Sequence, residues 1–251
     1  MNIALIGYGN MGHEIESAAH QRGHTIVERF SSAHPLPNPS AANSAIDCYI
    51  DFSTASAVRR NIEIATQLQV PIVEGTTGWQ EQKKEIMEFV RQQNGRLVYG
   101  NNFSVGAQMF FRIVRRAARL MNAFPNYDVG IHEIHHTKKK DAPSGTALTL
   151  GNVILTHMDR KEVLKYGING SPIMPHEINI SSARIGKVFG THTVLFHSET
   201  DEIELTHRAH SRAGFAVGAV LAAELIREFH GVYSFDQLVF EKSLHHSQPE
   251  E

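Results

Sequence analysis

The chain has little of what would mark a secreted, membrane-bound or nucleic-acid-binding protein. Its 251 residues include one cysteine, Cys48, so no disulfide can form within the chain. Its 24 Lys and Arg residues nearly balance its 26 Asp and Glu residues, which argues against a nucleic acid or an anionic membrane as partner. The longest apolar run, Val217–Ile226, contains Glu224 and is too short to span a bilayer. No basic stretch precedes the first apolar run, so a signal peptide is not indicated, and we expect a cytoplasmic protein.

What is present in the first hundred residues is an alternation of short apolar runs with helical patterns, which is typical of a parallel sheet covered by helices. The segment Ser31–Ser44 contains three prolines and should be a surface loop. The predicted strands are Asn2–Ile6, Thr25–Phe30, Asp47–Phe52, Val70–Val73 and Arg96–Tyr99, and the predicted helices are Met11–Arg22, Ala55–Leu68 and Trp79–Gln93.

The pattern changes after Pro125, where strand-like segments dominate and one helical stretch, Ser144–Met158, interrupts them. Val217, Val220, Leu221 and Leu225 then indicate an amphipathic helix over about Arg212–His230. The fold class predicted is therefore α/β: an amino-terminal Rossmann-type doubly wound parallel sheet with an inserted α+β domain carrying a mixed sheet. We expect residues 1–104, with 213–251 returning to them, to form a dinucleotide-binding domain, and 105–212 to form a substrate-binding and oligomerisation domain.

The strongest local motif is the glycine turn, Gly7-Tyr8-Gly9-Asn10-Met11-Gly12, a G-x-G-x-x-G sequence between a predicted strand and a predicted helix. Its first glycine permits a tight turn, its second allows a pyrophosphate to approach the backbone, and its third allows close helix–strand packing. The following helix would present free N–H groups to the anion. The context on both sides favours a dinucleotide site over a purely structural turn.

Three further segments fit the same cofactor. Glu28 lies at the end of the second predicted strand, where a carboxylate can accept hydrogen bonds from ribose hydroxyls, and Arg29 could pair with the 2′-phosphate of NADP. Gly75-Thr76-Thr77-Gly78 and Gly100-Asn101-Asn102-Phe103 end the fourth and fifth strands. Ligands bind outside the carboxyl ends of strands in such sheets, so both loops are expected to face the cofactor.

The segment 132–136 reads His-Glu-Ile-His-His and so matches the H-E-x-x-H pattern of zinc hydrolases. That pattern needs a helix, but Tyr127–Ile134 is predicted as a strand. At ~3.3 Å per residue, the two outer histidines of a strand would lie roughly 13 Å apart, too far for one zinc ion. No metal site is predicted.

An anion site is the better interpretation of this region. Lys138, Lys139 and Lys140 concentrate positive charge beside His135 and His136. A helix predicted to begin at Ser144 would add backbone N–H donors and a favourable dipole, which suit a carboxylate. A histidine there can exchange protons near neutral pH.

The stretch His135-His136-x-x-Lys139-x-Asp141-Ala142-Pro143-Ser144-Gly145-Thr146-Ala147 resembles the signature of the dihydrodipicolinate reductase family. The resemblance continues over nearly the whole chain, in family order. It includes Asp51-Phe52-Ser53, Asn102-Phe103-Ser104-Val105-Gly106, Arg184-Ile185-Gly186, Gly190-Thr191-His192-Thr193 and Thr206-His207-Arg208-Ala209.

The resemblance implies reduction of 4-hydroxy-tetrahydrodipicolinate to tetrahydrodipicolinate by NADH or NADPH, in the diaminopimelate route of lysine biosynthesis. It implies that His135 and Lys139 are catalytic, with either able to give the proton, and that His136, Lys139, Gly145 and Thr146 hold the substrate carboxylates. Ser144, at the predicted start of the helix, is also expected to bind the substrate, which is compatible with a role as N-cap. The resemblance places cofactor contacts at Gly7, Tyr8, Gly9, Asn10, Met11, Gly12, Glu28, Arg29, Gly75, Thr76, Thr77, Gly100, Asn101, Asn102 and Phe103. It also implies a homotetramer built through the inserted sheet.

The glycine turn departs from the family, because many members have one more residue there and an arginine near its end. The preference between NADH and NADPH therefore stays open. The alternatives are another Rossmann oxidoreductase, such as an amino-acid dehydrogenase, a non-catalytic NAD(P)-sensing protein, and a zinc hydrolase.

Overall fold

The computed structural model describes residues 1–38, 45–167 and 170–242, and it forms two units. The first unit comprises Met1–Val105 and the described chain from Arg212 onward, and the second comprises Gly106–Ser211. The domain boundaries expected from the sequence lie within one residue of these. The end of the predicted proline-rich loop, residues 39–44, lies outside the described residues, whereas residues 31–38 form no helix or strand.

The first unit is built on a six-stranded sheet in which every neighbouring pair is parallel, in the order β11-β5-β4-β3-β1-β2. This confirms the predicted doubly wound sheet. The sequence patterns missed β11, which pairs with β5 at one edge. The strands are β1 (Asn2–Ile6), β2 (Thr25–Phe30), β3 (Cys48–Asp51), β4 (Ile72–Glu74), β5 (Arg96–Tyr99) and β11 (Gly231–Ser234).

Helices cover both faces of this sheet because alternate strand residues point to opposite sides. Ile3 and Leu5 of β1 pack in one core with α1 and α6, whereas Ala4 and Ile6 pack in another with α2 and α3. The helices are α1 (Asn10–Gln21), α2 (Ala55–Gln67), α3 (Lys83–Gln92), α6 (Ala213–Ile226) and the short α7 (Phe235–Gln237), with a 3₁₀ turn at Gln80–Gln82 and a π-helical turn at Leu238–Lys242.

Helix α6 packs on the first sheet, where Val220 is buried and Leu225 contacts the core, in agreement with the predicted apolar face. Val217 is 38% exposed, so its predicted place on the buried face was wrong. The buried face carries small residues, and at Gly218 the helix comes so close to Phe103 that an added Cβ would lie 1.7 Å from the Phe103 carbonyl oxygen. A helix this close to its neighbour buries small residues, which a search for large apolar residues does not detect.

The second unit is a five-stranded mixed sheet in the order β10-β9-β6-β8-β7, with α4 and α5 packed on one face. Strand β6 pairs antiparallel with β9 and parallel with β8, as expected for a mixed sheet. The sequence patterns missed β7. The elements are α4 (Val105–Asn122), β6 (Asp128–His135), α5 (Gly145–Leu155), β7 (Val163–Tyr166), β8 (Glu177–Arg184), β9 (Gly190–His197) and β10 (Glu202–Ala209).

Cys48 is fully buried in β3, and burial raises the pKa of its thiol, so it has the properties of a small apolar residue rather than a nucleophile. In the described chain, no helix combines the length and the apolar character needed to cross a membrane.

Candidate active site

The glycine turn has the geometry of a dinucleotide cradle. Gly7 has φ +90°, and a Cβ added there would lie 2.4 Å from the Phe52 carbonyl oxygen. A Cβ on Gly12 would lie 2.6 Å from the Gly7 carbonyl oxygen, whereas one on Gly9 would meet nothing within 4 Å. Both close approaches therefore need glycine, and the open side at Gly9 leaves room for a ligand.

The first turn of α1 supplies the donors that such a ligand needs. Gly9 is the N-cap of α1 and has no side chain to accept from the first N–H groups. The turn is held against the end of β2, because the Gly7 N–H donates to the Phe30 carbonyl oxygen at 2.9 Å. These residues fit a bound pyrophosphate.

The two other predicted cofactor loops follow β4 and β5. Because the sheet is parallel, they lie at the carboxyl ends of its strands, as the glycine turn after β1 does. In the first loop Thr76 is buried and Thr77 is exposed. In the second, Asn102 Oδ1 accepts from the Ser104 N–H at 2.9 Å. The Phe103 side chain is buried, 4.8 Å from the Phe235 ring, so only the Phe103 backbone is available for a cofactor contact.

A buried carboxyl pair, Asp51 and Glu74, supports these loops, and sequence reasoning missed it. The two residues are directly opposite each other at the ends of β3 and β4, and both are fully buried. Asp51 accepts from the Ser53 N–H at 2.8 Å and Glu74 from the Thr76 N–H at 2.7 Å, while Asn61 donates to Asp51 at 2.7 Å. Glu74 Oε2 has no partner within the described residues.

Two ionised carboxylates cannot lie side by side without water, so this pair holds a proton. Burial raises the pKa of Glu74 well above its ordinary value, and the Asp51 charge raises it further; burial also raises the pKa of Asp51. A proton on Glu74 can be donated to Asp51. Short apolar runs predicted strands here, but only the register between β3 and β4 brings the two acids together.

We expect Glu74→Gln to remove a pH dependence of stability. Folded Glu74 keeps a proton that the unfolded chain loses above its ordinary pKa, so this stabilisation is complete at low pH and is lost as pH rises through the folded pKa. In that window the wild type should lose about 1.4 kcal/mol of unfolding free energy per pH unit relative to the variant, whose amide is neutral and still donates to Asp51. Urea unfolding between pH 5 and 8.5 measures both slopes.

Glu81→Gln, at an exposed glutamate after the same loop, is the matched control and should keep the wild-type slope. If the unfolding free energies of the wild type and of Glu74→Gln changed with pH in the same way, the buried pair would not hold a proton.

In the second unit, strand register assembles a cluster of ionisable side chains. Glu133 and His135 point to the same face of β6 because they are two residues apart. His192 of β9 is directly opposite Glu133, and Arg184 of β8 is directly opposite His135. His135 Nδ1 is hydrogen-bonded to Glu133, and the Arg184 guanidinium lies 2.9 Å from Glu133 Oε1. Sequence reasoning selected His135 and missed the other three, although β6 alternation could have indicated Glu133.

These contacts fix the protonation of His135. Burial lowers the pKa of His135, and the charges of Lys139 and Arg184 lower it further, against the opposing effect of Glu133. Burial alone would raise the pKa of Glu133, but hydrogen bonds from Ser182 and Arg184 outweigh it and lower this pKa, so Glu133 is ionised. The neutral His135 ring therefore carries its proton on Nδ1, toward Glu133, and has a lone pair on Nε2.

The lysine loop is held next to this cluster. Arg184 donates to the Asp141 carbonyl oxygen at 2.6 Å, and Lys139 Nζ forms an ion pair with Asp141 at 2.8 Å. Lys139 is half-buried, whereas Lys138 and Lys140 are exposed. Of the three lysines, Lys139 is the one that the fold fixes near His135.

Helix α5 begins at Gly145 after the N-cap Ser144, as predicted for an anion site. Burial lowers the pKa of His192 to about 3, so its ring is neutral. The Ser144 hydroxyl accepts from the Ala147 N–H at 3.2 Å and is hydrogen-bonded to His192 at 3.0 Å. Its side chain is thus committed within the protein. The first-turn N–H groups at Gly145 and Thr146 have no partner within the helix and can receive a carboxylate.

His132 and His136 of the H-E-x-x-H pattern do not form a zinc site on one helix face. His132 lies within strand β6, is exposed, and is hydrogen-bonded to Ser181 at 2.8 Å. Ligand atoms of Glu133, His135 and His192 do lie within 4.8 Å of one another. There, however, the Arg184 guanidinium already provides a cation beside Glu133. That no metal is needed stays a prediction.

A parallel sheet with this glycine turn, joined in one chain to a sheet domain with a cationic loop, is typical of nicotinamide-dependent oxidoreductases. The sequence models of the dihydrodipicolinate reductase amino-terminal and carboxy-terminal regions match residues 1–103 and 106–239. The chain belongs to the dihydrodipicolinate reductase family. The predicted family, the predicted oxidoreductase class and the predicted use of NADH or NADPH are confirmed.

Two curated relatives support the assignment to this family, and one solved structure has the same fold. The chain is 39% identical over 239 residues to the 4-hydroxy-tetrahydrodipicolinate reductase of Christiangramia forsetii, covering 95% of this chain and 98% of the relative. It is 40% identical to the enzyme of the same name from Methanosarcina mazei, covering 94% of this chain and 88% of that one. The dipicolinate-bound dihydrodipicolinate reductase of Paenisporosarcina sp. TG-14 shares the fold, with a TM-score of 0.75, 22% identity and coverage of 95% and 99%.

Proposed function

We propose that this chain reduces 4-hydroxy-tetrahydrodipicolinate to tetrahydrodipicolinate with NADH or NADPH, in the diaminopimelate route of lysine biosynthesis. The observation that carries the proposal is the half-buried Lys139, fixed by Asp141 and Arg184 in the loop that leads into the amino end of α5. Its relatives are named for this reaction.

The substrate is a cyclic dicarboxylate, so its site must supply cations and N–H donors for two carboxylates. Lys139 and His136 provide side chains, and Gly145 and Thr146 provide the exposed N–H groups of α5. Ser144 contributes by capping that helix and thereby fixing the direction of its N–H groups, because its hydroxyl already has two partners. This role differs from the direct substrate contact that the sequence led us to expect of Ser144.

Lys139 is the proton donor in this proposal. When bound, NAD(P)H would supply a hydride to ring carbon 4 once the 4-hydroxyl group has left as water, and the resulting enamine must then be protonated. His135 is neutral and directs its only N–H to Glu133, so its Nε2 has no proton to give. Lys139 carries its protons into the site as an ammonium group, and its positive charge stabilises the negative charge that develops. His135 orients the substrate and the loop.

The cofactor is held by the first unit. The glycine turn Gly7–Gly12 receives the pyrophosphate, and Glu28 and Arg29 contact the adenosine ribose. The loops at Gly75–Thr77 and Gly100–Phe103 complete the site, the latter through its backbone.

We further propose that the protein is a cytoplasmic homotetramer built through the second sheet. Helices α4 and α5 cover the face of that sheet to which Ile131 points, while His132, the next residue of β6, is exposed on the other face. Light scattering should give the mass of four chains, and a monomeric mass would contradict this assembly.

The deciding experiment follows oxidation of NADH and NADPH in the presence of freshly prepared condensation product of pyruvate and aspartate semialdehyde. Turnover with this product, and none with amino acids plus NAD(P)⁺, is expected. Turnover with amino acids would instead support the amino-acid dehydrogenase alternative. Cofactor binding without oxidation would support the sensor alternative.

A further inference from the structure

Arg29, which the proposed function places at the adenosine ribose, already has an anionic partner within the protein. Its guanidinium forms a bidentate ion pair with the Glu16 carboxylate: Nη2 donates to Oε1, and Nε donates to Oε2 at 3.1 Å. Glu16 lies in the second turn of α1, the helix that follows the glycine turn. Its side chain is 15% exposed, compared with 38% for Arg29, so the carboxylate is the more deeply placed of the two.

Tyr8 of the glycine turn completes this cluster. Its hydroxyl is hydrogen-bonded to Glu16, and the Arg29 guanidinium lies over its ring at 5.5 Å. His13 packs on the same ring at 4.2 Å, and His20 Nε2 lies 3.9 Å from Glu16 Oε1. The Arg29 hydrogen bond comes first among the causes that lower the pKa of Glu16 to about 2, so the carboxylate is ionised at any working pH.

NADH and NADPH differ only by a phosphate on the 2′-hydroxyl of the adenosine ribose. In dinucleotide folds, an acid near the end of the second strand accepts from the ribose hydroxyls of NAD, whereas a nearby arginine accommodates the extra phosphate of NADP. Glu28 and Arg29 are adjacent in β2 and could serve one nucleotide each. The arginine can serve NADPH only if its guanidinium is free to pair with the phosphate.

In this chain the Arg29 guanidinium is already paired with the Glu16 carboxylate. A 2′-phosphate that reaches Arg29 must displace the Glu16 carboxylate or lie beside it, and either choice places like charges together in a partly buried cluster. NADH meets no such repulsion, because its 2′-hydroxyl carries no charge.

We infer that Glu16 is a specificity-determining residue that makes the enzyme prefer NADH to NADPH by occupying Arg29. The inference rests on the proposed function, since it takes the contact of Glu28 and Arg29 with the adenosine ribose from it.

The test is equilibrium binding to the full-length, substrate-free protein by calorimetry, with NADH, NADPH, AMP and adenosine 2′,5′-bisphosphate as probes. The last two isolate the 2′-phosphate. The wild type should bind NADH about tenfold or more tightly than NADPH, and Glu16→Gln should tighten NADPH and the bisphosphate by about tenfold while NADH and AMP change less than about twofold.

Three variants separate charge from structure. Glu14→Gln removes an exposed charge from the same helix and should change no dissociation constant. Glu16→Asp keeps the charge and should keep the NADH preference. Glu16→Gln combined with Arg29→Ala should lose the NADPH gain, because the phosphate then has no guanidinium to pair with.

If Glu16→Gln changed the affinities for NADH and NADPH by the same factor, the inference would be overturned and Glu16 would have only a structural role. A wild type that binds NADPH as tightly as NADH would also overturn it while leaving the proposed function standing. A wild type that binds neither nucleotide would overturn both.

Discussion

Replacing Lys139 by alanine is expected to lower kcat/KM by about a thousandfold, within the range for loss of a positioned proton donor. The dissociation constant for NADH should stay within about twofold, because the residues proposed to hold the cofactor belong to the first unit, whereas Lys139 belongs to the second. Steady-state kinetics with the condensation product and calorimetric NADH binding measure the two quantities separately.

Lys138→Ala is the matched control, since Lys138 is the exposed neighbour in the same loop and carries the same charge. It should retain most of the activity, because an exposed, solvated cation adds little to a bound carboxylate. If Lys138→Ala and Lys139→Ala lost activity equally, the loop would act only through its total charge and Lys139 would not be the donor. A parallel loss of NADH affinity in Lys139→Ala would contradict the assigned role as well.

Gly218→Ala is expected to destabilise the first unit by about 3 kcal/mol, the upper part of the range for overpacking a core. The new Cβ would lie 1.7 Å from the Phe103 carbonyl oxygen, which is backbone and cannot rotate away, and 3.1 Å from the Phe235 ring. Helix α6 must therefore move off the sheet or push the Phe103 loop aside. Urea unfolding measures the loss, and NADH binding to the folded variant should weaken because the Phe103 backbone belongs to the proposed cofactor site.

The same helix supplies the control. A Cβ on Gly214 would lie 3.6 Å from Ser104 Oγ, which is an ordinary contact. Gly214→Ala should therefore be neutral or stabilising by a few tenths of a kcal/mol, since alanine favours the helix. Equal effects of the two substitutions would show that α6 does not pack as closely as the structure has it.

The sequence predicted what depends on local pattern. Alternating strands and helices were enough for the parallel sheet, and the glycine turn with its flanking strand and helix was enough for the nucleotide class. The family followed from the long segment 135–147, which is far more selective than the turn. The predicted strand Tyr127–Ile134 also indicated that His132 and His136 do not lie on one face of a helix, as the zinc hydrolase pattern requires.

What the sequence could not predict depends on register between distant segments. Glu133 and His192 are 59 positions apart and become neighbours only because β6 and β9 pair in one particular register. Asp51 and Glu74 meet for the same reason. No local periodicity contains such information, since sliding a strand by two residues preserves its alternation and changes every cross-strand partner.

The order of the sheet strands has a consequence for synthesis on the ribosome. Strand β11 pairs with β5, and α6 covers the face of the sheet that carries Ile3 and Leu5, yet both elements are made only after the whole second unit. Until then the nascent first unit has an unpaired β5 edge, and the part of this apolar face that α1 does not cover is exposed to water. The amino-terminal half therefore cannot reach its final stability during translation, and an isolated fragment ending near residue 105 should aggregate rather than bind nucleotide.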